Sequence, residues 1–319
     1  MNQPDVLAGL RHVMQRERTP LVSQRMAAEH LASHGRLLVH LPTGGGKTLL
    51  AALPFAAGLV HAPQMIFMTP LRTLASAQAS TLRREIDAST ASGALHQPWN
   101  VREQTGNVPE DPLFTACATV CTFDQALSSA LQISYSTSQR RRTVNAGAVL
   151  ASYLVADELH LFPRNAALTT LLWLLRNRPE LPFCLMTATL SVPMIEHLAD
   201  LLDAHVLDAF PEQDIDTLGL AERRRTLCWH ESPITAEEIV ALADEHAHVL
   251  VVVNTIDRAI ELGRSVAALT DRTVKILHSR FYREHRDEIT RSVLHMFGRD
   301  PDSREPGIVI TTQVIEAGV

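Results

Sequence analysis

The chain has 319 residues, is 46% hydrophobic and 20% charged, and carries a formal net charge of −6. That length suggests two domains of ordinary size with room for a sizeable core, and the acidic balance leaves any nucleic-acid binding to local patches. No apolar run reaches the roughly 18 to 20 residues that a membrane span needs, and Met1-Asn2-Gln3-Pro4-Asp5 lacks the basic and apolar stretches of a secretory leader, so a cytoplasmic setting with no membrane partner is expected.

In chain order, Arg36 to Leu41 reads as a strand running into a Gly-rich loop, with a helix starting at Lys47. Strand 64–69 precedes a helix from Leu71 to about Ile86, and strand 116–121 precedes a helix from about Asp124. Strand 152–156, an apolar helix over 166–175, strand 183–187 and a helix from Ser191 to Ala204 follow. Residues 207–220 break the alternation with Pro211, Gly219 and four acids, and read as the start of a linker over 207–225. The pattern restarts with helix 234–245, strand 249–253, helix 256–269, strand 274–277, helix 283–296 and strand 307–311. Strands separated by helices predict an α/β fold, with parallel sheets covered by helices on both faces. The domains expected are 1–206 and 226–319, the second cut short because the chain stops at Val319 soon after its last strand.

Of the 29 Lys and Arg residues only Lys47 and Lys275 are lysines, a bias that a genome favouring Arg codons explains. Cys117, Cys121, Cys184 and Cys228 have apolar neighbours and no Cys-x-x-Cys spacing, which reads as buried free thiols in a reducing compartment. The 15 histidines are scattered, and no His-Asp dipeptide occurs.

Chemistry concentrates in a few short runs. Pro42-Thr43-Gly44-Gly45-Gly46-Lys47-Thr48, between a strand and a helix, is the pattern of a phosphate-cradling loop for ATP. Its backbone N–H groups and the helix N-terminus make a concave anion site. Lys47 would reach the β- and γ-phosphates, and the Thr48 hydroxyl would ligate Mg²⁺. Leu41 stands where the strict pattern has its first glycine. Asp157-Glu158-Leu159-His160 ends an apolar strand with two carboxylates. Asp157 would hold Mg²⁺ and Glu158 would orient and polarise the attacking water; a solvated acidic strand end is the plain alternative. Gln24, 23 residues before Lys47, has the chemistry to read an adenine edge or to sit on a helix surface. Thr187-Ala188-Thr189 offers hydroxyls that reach the Asp157–His160 segment or simply cap the next helix. Arg140-Arg141-Arg142 is a basic cluster that suits a DNA channel and a solvated loop equally.

Taken together and in order, these runs resemble a superfamily 2 helicase, and more narrowly the CRISPR-associated DExH-box helicase of type I systems. Leu41–Thr48 is similar to motif I and Asp157–His160 to the DExH box. Thr69-Pro70-Leu71-Arg72-Thr73-Leu74 resembles motif Ia, and Cys121-Thr122-Phe123-Asp124-Gln125-Ala126-Leu127 a Thr-hydrophobic-Asp-Gln segment. Met186-Thr187-Ala188-Thr189-Leu190 resembles motif III, with Met186-Thr187 where a first Ser hydroxyl is more usual. Val253-Asn254-Thr255, Leu277-His278-Ser279-Arg280-Phe281 followed by Arg286, and Thr311-Thr312-Gln313-Val314-Ile315-Glu316-Ala317-Gly318-Val319 resemble later motifs of this branch.

The resemblance implies tandem RecA-like domains and an ATP- and Mg²⁺-dependent single-stranded DNA translocase. Nucleotide contacts are implied at Gln24, Thr43 to Thr48 and Gly318, with catalysis at Lys47, Asp157 and Glu158. Coupling is implied for His160, Thr187, Thr189, Gln313 and Glu316. Nucleic-acid contact is implied for Pro70, Leu71, Arg72, Thr122, Asn254, Thr255, Arg280 and Thr312. The partners implied are an RNA-guided CRISPR surveillance complex and an HD nuclease, the latter a separate subunit or a domain beyond Val319. The role implied is antiviral defence by unwinding target DNA for degradation. Motif VI, which supplies an arginine for the γ-phosphate, would lie past Val319, so this stretch alone is expected to bind nucleotide without efficient turnover. Another superfamily 2 motor, acting on RNA or duplex DNA, is the alternative.

Overall fold

The computed structural model describes residues 6–14, 19–42, 44–86, 99–219, 226–297 and 304–313. Thr43, Glu316 and Gly318 of the expected site, and 220–225 of the expected linker, lie outside the described residues. The chain divides into two compact units, Met1–Arg224 and Arg225–Val319.

The first unit is built on seven strands: β1 (Arg36–His40), β2 (Met65–Thr69), β3 (Val101–Gln104), β4 (Ala118–Thr122), β5 (Tyr153–Ala156), β6 (Phe183–Thr187) and β7 (His205–Leu207). Their order is β3-β4-β2-β5-β6-β1-β7 and the pairings are parallel. Helices α1 (Val6–Val13), α2 (Val22–His34), α3 (Lys47–Ala56) and α4 (Arg72–Glu85) share one core with Leu37, Val39, Phe67, Val120 and Val155. Helices α5 (Phe123–Ala130), α6 (Arg142–Leu150), α7 (Thr169–Asn177) and α8 (Val192–Leu202) share the other with Leu38, Ile66, Met68, Leu154 and Leu185. Alternate residues of one strand thus serve opposite cores, which is why central strands read as unbroken apolar runs.

The linker expected over 207–225 departs from this structure. Leu207 closes β7 on the sheet edge, and α9 (Glu212–Thr217) follows inside the first unit. The physical reason is Asp214, which is buried although acidic. Its carboxylate accepts the Val22 and Ser23 N–H groups, both at 2.7 Å. Those are unpaired donors at the start of α2, so the acid caps a helix distant in sequence. Gly35, at φ 72°, ends the same helix by donating its N–H to Leu31, a turn suited to glycine.

The second unit holds α10 (Ala236–Glu245), β8 (His248–Val252), α11 (Ile256–Leu269), β9 (Val274–Leu277), α12 (Arg283–Met296) and β10 (Gly307–Thr311). Its parallel sheet runs β8-β10-β9. Helices α10 and α11 pack on Val249, Val251, Ile308 and Ile310. Val293 and Met296 of α12 meet Val309 on the opposite face. Three of the four cysteines are buried, but Cys228 is exposed beside the exposed Leu227 and Trp229, so the expectation of four buried thiols fails there. Among the described residues no helix is long and apolar enough to cross a membrane.

Candidate active site

Parallel sheets bind ligands at the carboxyl ends of their strands, and the first unit gathers its chemistry there. β1 runs into the glycine loop and α3 starts at Lys47. Gly44 and Gly46 have φ of 81° and 71°, a left-handed backbone that suits glycine. At Gly45 a Cβ would lie 2.0 Å from the tip of the Phe210 ring, so a larger residue there would displace that ring. Lys47 is buried and its Nζ donates to the Leu41 carbonyl at 3.0 Å. The Thr48 hydroxyl donates to Gln78 Oε1 at 2.7 Å, and Gln78 Nε2 donates to Asp157 Oδ2 at 3.0 Å. One amide on α4 therefore bridges the two residues expected to hold the cation.

β5 delivers Asp157, whose N–H donates to Met68 of the neighbouring strand. Burial pushes its carboxyl up to about 6, and the Glu158 charge adds to this. Lys47, the Glu158 N–H and the Gln78 amide oppose that rise. Glu158 itself adopts φ 51° and ψ 50°, and its N–H donates to Asp157 Oδ1 at 3.0 Å. Left-handed backbone at a non-glycine residue costs on the order of 1–3 kcal/mol and clusters at functional sites. Glu158 Oε2 is buried without a hydrogen-bond partner. His160 Nδ1 lies 3.5 Å from it, outside hydrogen-bond geometry.

His160 Nδ1 lies 3.2 Å from Thr187 Oγ1. The Thr189 N–H donates to that same hydroxyl at 3.4 Å, and the Thr187 carbonyl accepts the Leu41 N–H at 3.2 Å. These bonds join the three first-unit coupling candidates to the root of the glycine loop. Gln24 is buried and caps its own helix, with Oε1 accepting the Leu21 N–H at 3.0 Å. Its Nε2 lies 3.5 Å from where a Gly46 Cβ would stand, so the helix that bears it flanks the loop.

Oxygen donors from Thr48 and Asp157 suit a hard divalent cation such as Mg²⁺. The orphaned Glu158 Oε2 suits a water. The glycine loop suits phosphates. The residues present thus fit Mg²⁺ and ATP.

The remaining candidates also sit at strand ends. Pro70 and Leu71 form the turn after β2, and Arg72 Nη1 donates to Asn107 Oδ1 at 2.9 Å. Thr122 is buried at the end of β4. In the second unit Asn254 is exposed after β8, and Thr255 Oγ1 caps α11 by accepting the Arg258 N–H. Arg280 pairs with Asp257 at 2.7 Å, both exposed. Thr312 is buried after β10 and Gln313 is exposed. Arg140 and Arg141 are exposed in a single helical turn before α6.

Three residues of the site region escape the motif reading. Gln78 shares the inward face of α4 with Ala75, Ala79 and Leu82, and a polar residue on an apolar stripe was the available signal. Phe210 and Asp214 lie in the segment read as linker, and only tertiary folding brings them to Gly45 and α2.

The family model described as DEAD/DEAH box helicase matches residues 22–198. The model described as CRISPR-associated nuclease/helicase Cas3, C-terminal, matches residues 245–319. No curated protein sequence matches the chain. Among solved structures, T. fusca Cas3 with ATP is 18% identical over 98% of this chain and 42% of its own, with a TM-score of 0.66. The M. smegmatis helicase Lhr, bound to ssDNA and AMP-PNP, is 17% identical over 94% and 40%, with a TM-score of 0.61. S. cerevisiae Dbp5, bound to RNA and ADP BeF3, is 16% identical over 99% and 75%, with a TM-score of 0.61. These likenesses establish tandem RecA-like folds, and the chain spans about two fifths of the length of the Cas3 structures.

Proposed function

The chain belongs to the DEAD/DEAH box helicase family, and from that premise we propose that it binds ATP with Mg²⁺ and is the motor part of a Cas3-type, single-stranded DNA translocase. The observation that carries the reading is the bridge from Thr48 through Gln78 to Asp157, beside a Glu158 oxygen that is buried and unpartnered. Backbone N–H groups of Gly44 to Gly46 cradle phosphate oxygens, and Lys47 leaves the Leu41 carbonyl for the β- and γ-phosphates. Thr48 and Asp157 hold the cation, which when bound supplies positive charge to those phosphates. Glu158 accepts a hydrogen bond from the attacking water and takes its proton as the γ-phosphoryl group is transferred. His160, Thr187 and Thr189 relay occupancy of the site to the loop at Leu41. Gln24 reads the adenine, and Gly318 and Thr43 add nucleotide contacts. The second unit contributes Gln313 and Glu316 to coupling.

Arg72, Thr122, Arg280, Asn254, Thr255 and Thr312, with the Pro70-Leu71 turn, track the backbone of a single strand, a contact that needs no base readout. The match of 245–319 to the Cas3 C-terminal model supports the CRISPR context. In that context the partners are an RNA-guided surveillance complex and an HD nuclease that degrades the unwound target, in a soluble, cytoplasmic antiviral role.

Steady-state ATP turnover by the intact protein, measured with single-stranded DNA and with RNA, tests this. DNA should stimulate and RNA should not. Stimulation by RNA alone would make the chain an RNA motor, and indifference to both would remove the translocase reading. Lys47→Ala should lose ATP binding, whereas Glu158→Gln should keep binding and stop turnover.

A further inference from the structure

Three histidines meet at the β7 edge of the first unit, at the opposite end of the strands from Lys47. His30 and His34 are one turn apart on α2, and His205 opens β7 and pairs with Leu37 near the amino end of β1. One ligand-capable atom from each lies within 4.8 Å of the others. The His205 ring stacks on His30 at 4.7 Å and meets His34 edge-on at 4.1 Å.

The trio contains three imidazoles and no carboxylate. Burial and the neighbouring His205 and His34 hold the His30 ring toward its neutral form, against the pull of Glu29. Neutral imidazoles are a nitrogen donor set, which borderline divalent metals prefer and Mg²⁺ does not. A hydroxyl also meets one ring nitrogen. Ser33 Oγ lies 2.7 Å from His34 Nδ1 and donates to the backbone carbonyls of Glu29 at 2.8 Å and His30 at 3.2 Å. With that proton on a carbonyl, the hydroxyl accepts a hydrogen bond from His34 Nδ1–H, which leaves His34 Nε2 as the ligand atom. A second hydrogen bond that sets which ring nitrogen ligates is how histidine metal sites are oriented.

We propose that His30, His34 and His205 form a three-nitrogen site for a divalent transition metal, with Zn²⁺ the best fit and water as fourth ligand. Binding requires the stacked rings to turn about χ2; His34 is exposed and His30 and His205 are half-buried. The ion clips α2 to β7. α2 carries Gln24 beside Gly46, and β7 leads to Phe210 against Gly45. The metal would therefore staple the two segments that flank the glycine loop, independently of the Mg²⁺ position at Thr48 and Asp157.

The test uses the intact, chelator-stripped protein. Zn²⁺ affinity is measured by competition with a chromophoric chelator, and Co²⁺ substitution by visible absorption. Expected are Zn²⁺ binding that depends on the histidine trio, a Zn²⁺-dependent rise in Tm, and a Co²⁺ spectrum of a four-coordinate nitrogen site. His205→Gln and His30→Gln should lose all three, while His61→Gln, an exposed histidine outside the trio, keeps them. Ser33→Ala retains every ligand and should weaken Zn²⁺ binding by roughly 10- to 100-fold, which guards against a His variant that fails to fold. Unchanged Zn²⁺ affinity in His205→Gln, or no Tm response in the parent chain, would overturn the site.

Discussion

Gln78 holds together two groups that the cation would otherwise hold. Its amide satisfies Thr48 and Asp157 at once, so Gln78→Ala takes the donor from Asp157 Oδ2 and leaves that buried carboxylate with the Glu158 N–H on Oδ1. That should cost about 1–3 kcal/mol in the nucleotide-free protein. With Mg²⁺ and a non-hydrolysable ATP analogue the deficit should shrink, because the cation takes over both oxygens. Thermal unfolding with and without the ligand checks this, and an equal deficit in both conditions would count against the cation site. Asp157 adds a pH test. Its carboxyl is raised from 3.8 to about 6, chiefly by burial, so the folded chain holds that proton more tightly than the unfolded one. The resulting stability is full below 3.8 and is lost as pH rises through about 6. Asp157→Asn in Mg²⁺-free buffer should therefore stabilise the chain at pH 8 by up to about 3 kcal/mol, with no gain near pH 4. Urea titrations at the two pH values measure it; a variant less stable at pH 8 would contradict the sign. Lys47, Thr48, Asp157 and Glu158 were legible because each stands in a short contiguous run whose chemistry is local. Gln78 was not, since its partners lie 30 and 79 residues away.

At the scale of elements, the same distinction separates central strands from edges. β1, β2, β4, β5 and β6 are buried on both faces, so their sequences are mostly apolar, with polar residues such as Arg36, His40 and Thr122 chiefly at strand ends. β3, Val101-Arg102-Glu103-Gln104, and the three-residue β7 sit at the two edges. Short or charged edge strands resist pairing with other chains, and the property that protects them hides them from a periodicity search. α9 was hidden for another reason: its six residues carry acids that look solvated, while Asp214 points inward to α2. Asp214→Ala would unpair two N–H groups at the start of α2. A lost cap costs about 1–2 kcal/mol, and Gln24 rides on the freed turn. The expected result is a lower Tm together with weaker binding of an ATP analogue, read by calorimetry and fluorescence titration. An unchanged Tm would mean that α9 is an ornament of the first unit, not its clasp.

At the scale of the whole chain, each unit has hydrophobic clusters of its own among the described residues. Two clusters run from Leu10 to Leu207 and two from Ala236 to Ile310. Separate cores favour separate unfolding steps, since two-state behaviour belongs to a single cooperative core. Calorimetry should show two transitions. Leu262→Ala empties part of the α11 core and, at about 2–5 kcal/mol for such a truncation, should lower only one of them, which labels it as the second unit. Lys47, Thr48, Asp157 and Glu158 all belong to the first unit. A saturating ATP analogue with Mg²⁺, at about 100 times its Kd, adds roughly 2.7 kcal/mol to whatever binds it. The transition untouched by Leu262→Ala should carry that rise, and Lys47→Ala should abolish it. If the ligand raised only the transition that Leu262→Ala lowers, the phosphate loop could not be the principal nucleotide contact. A single transition sensitive to both would instead mean that the two cores are energetically one.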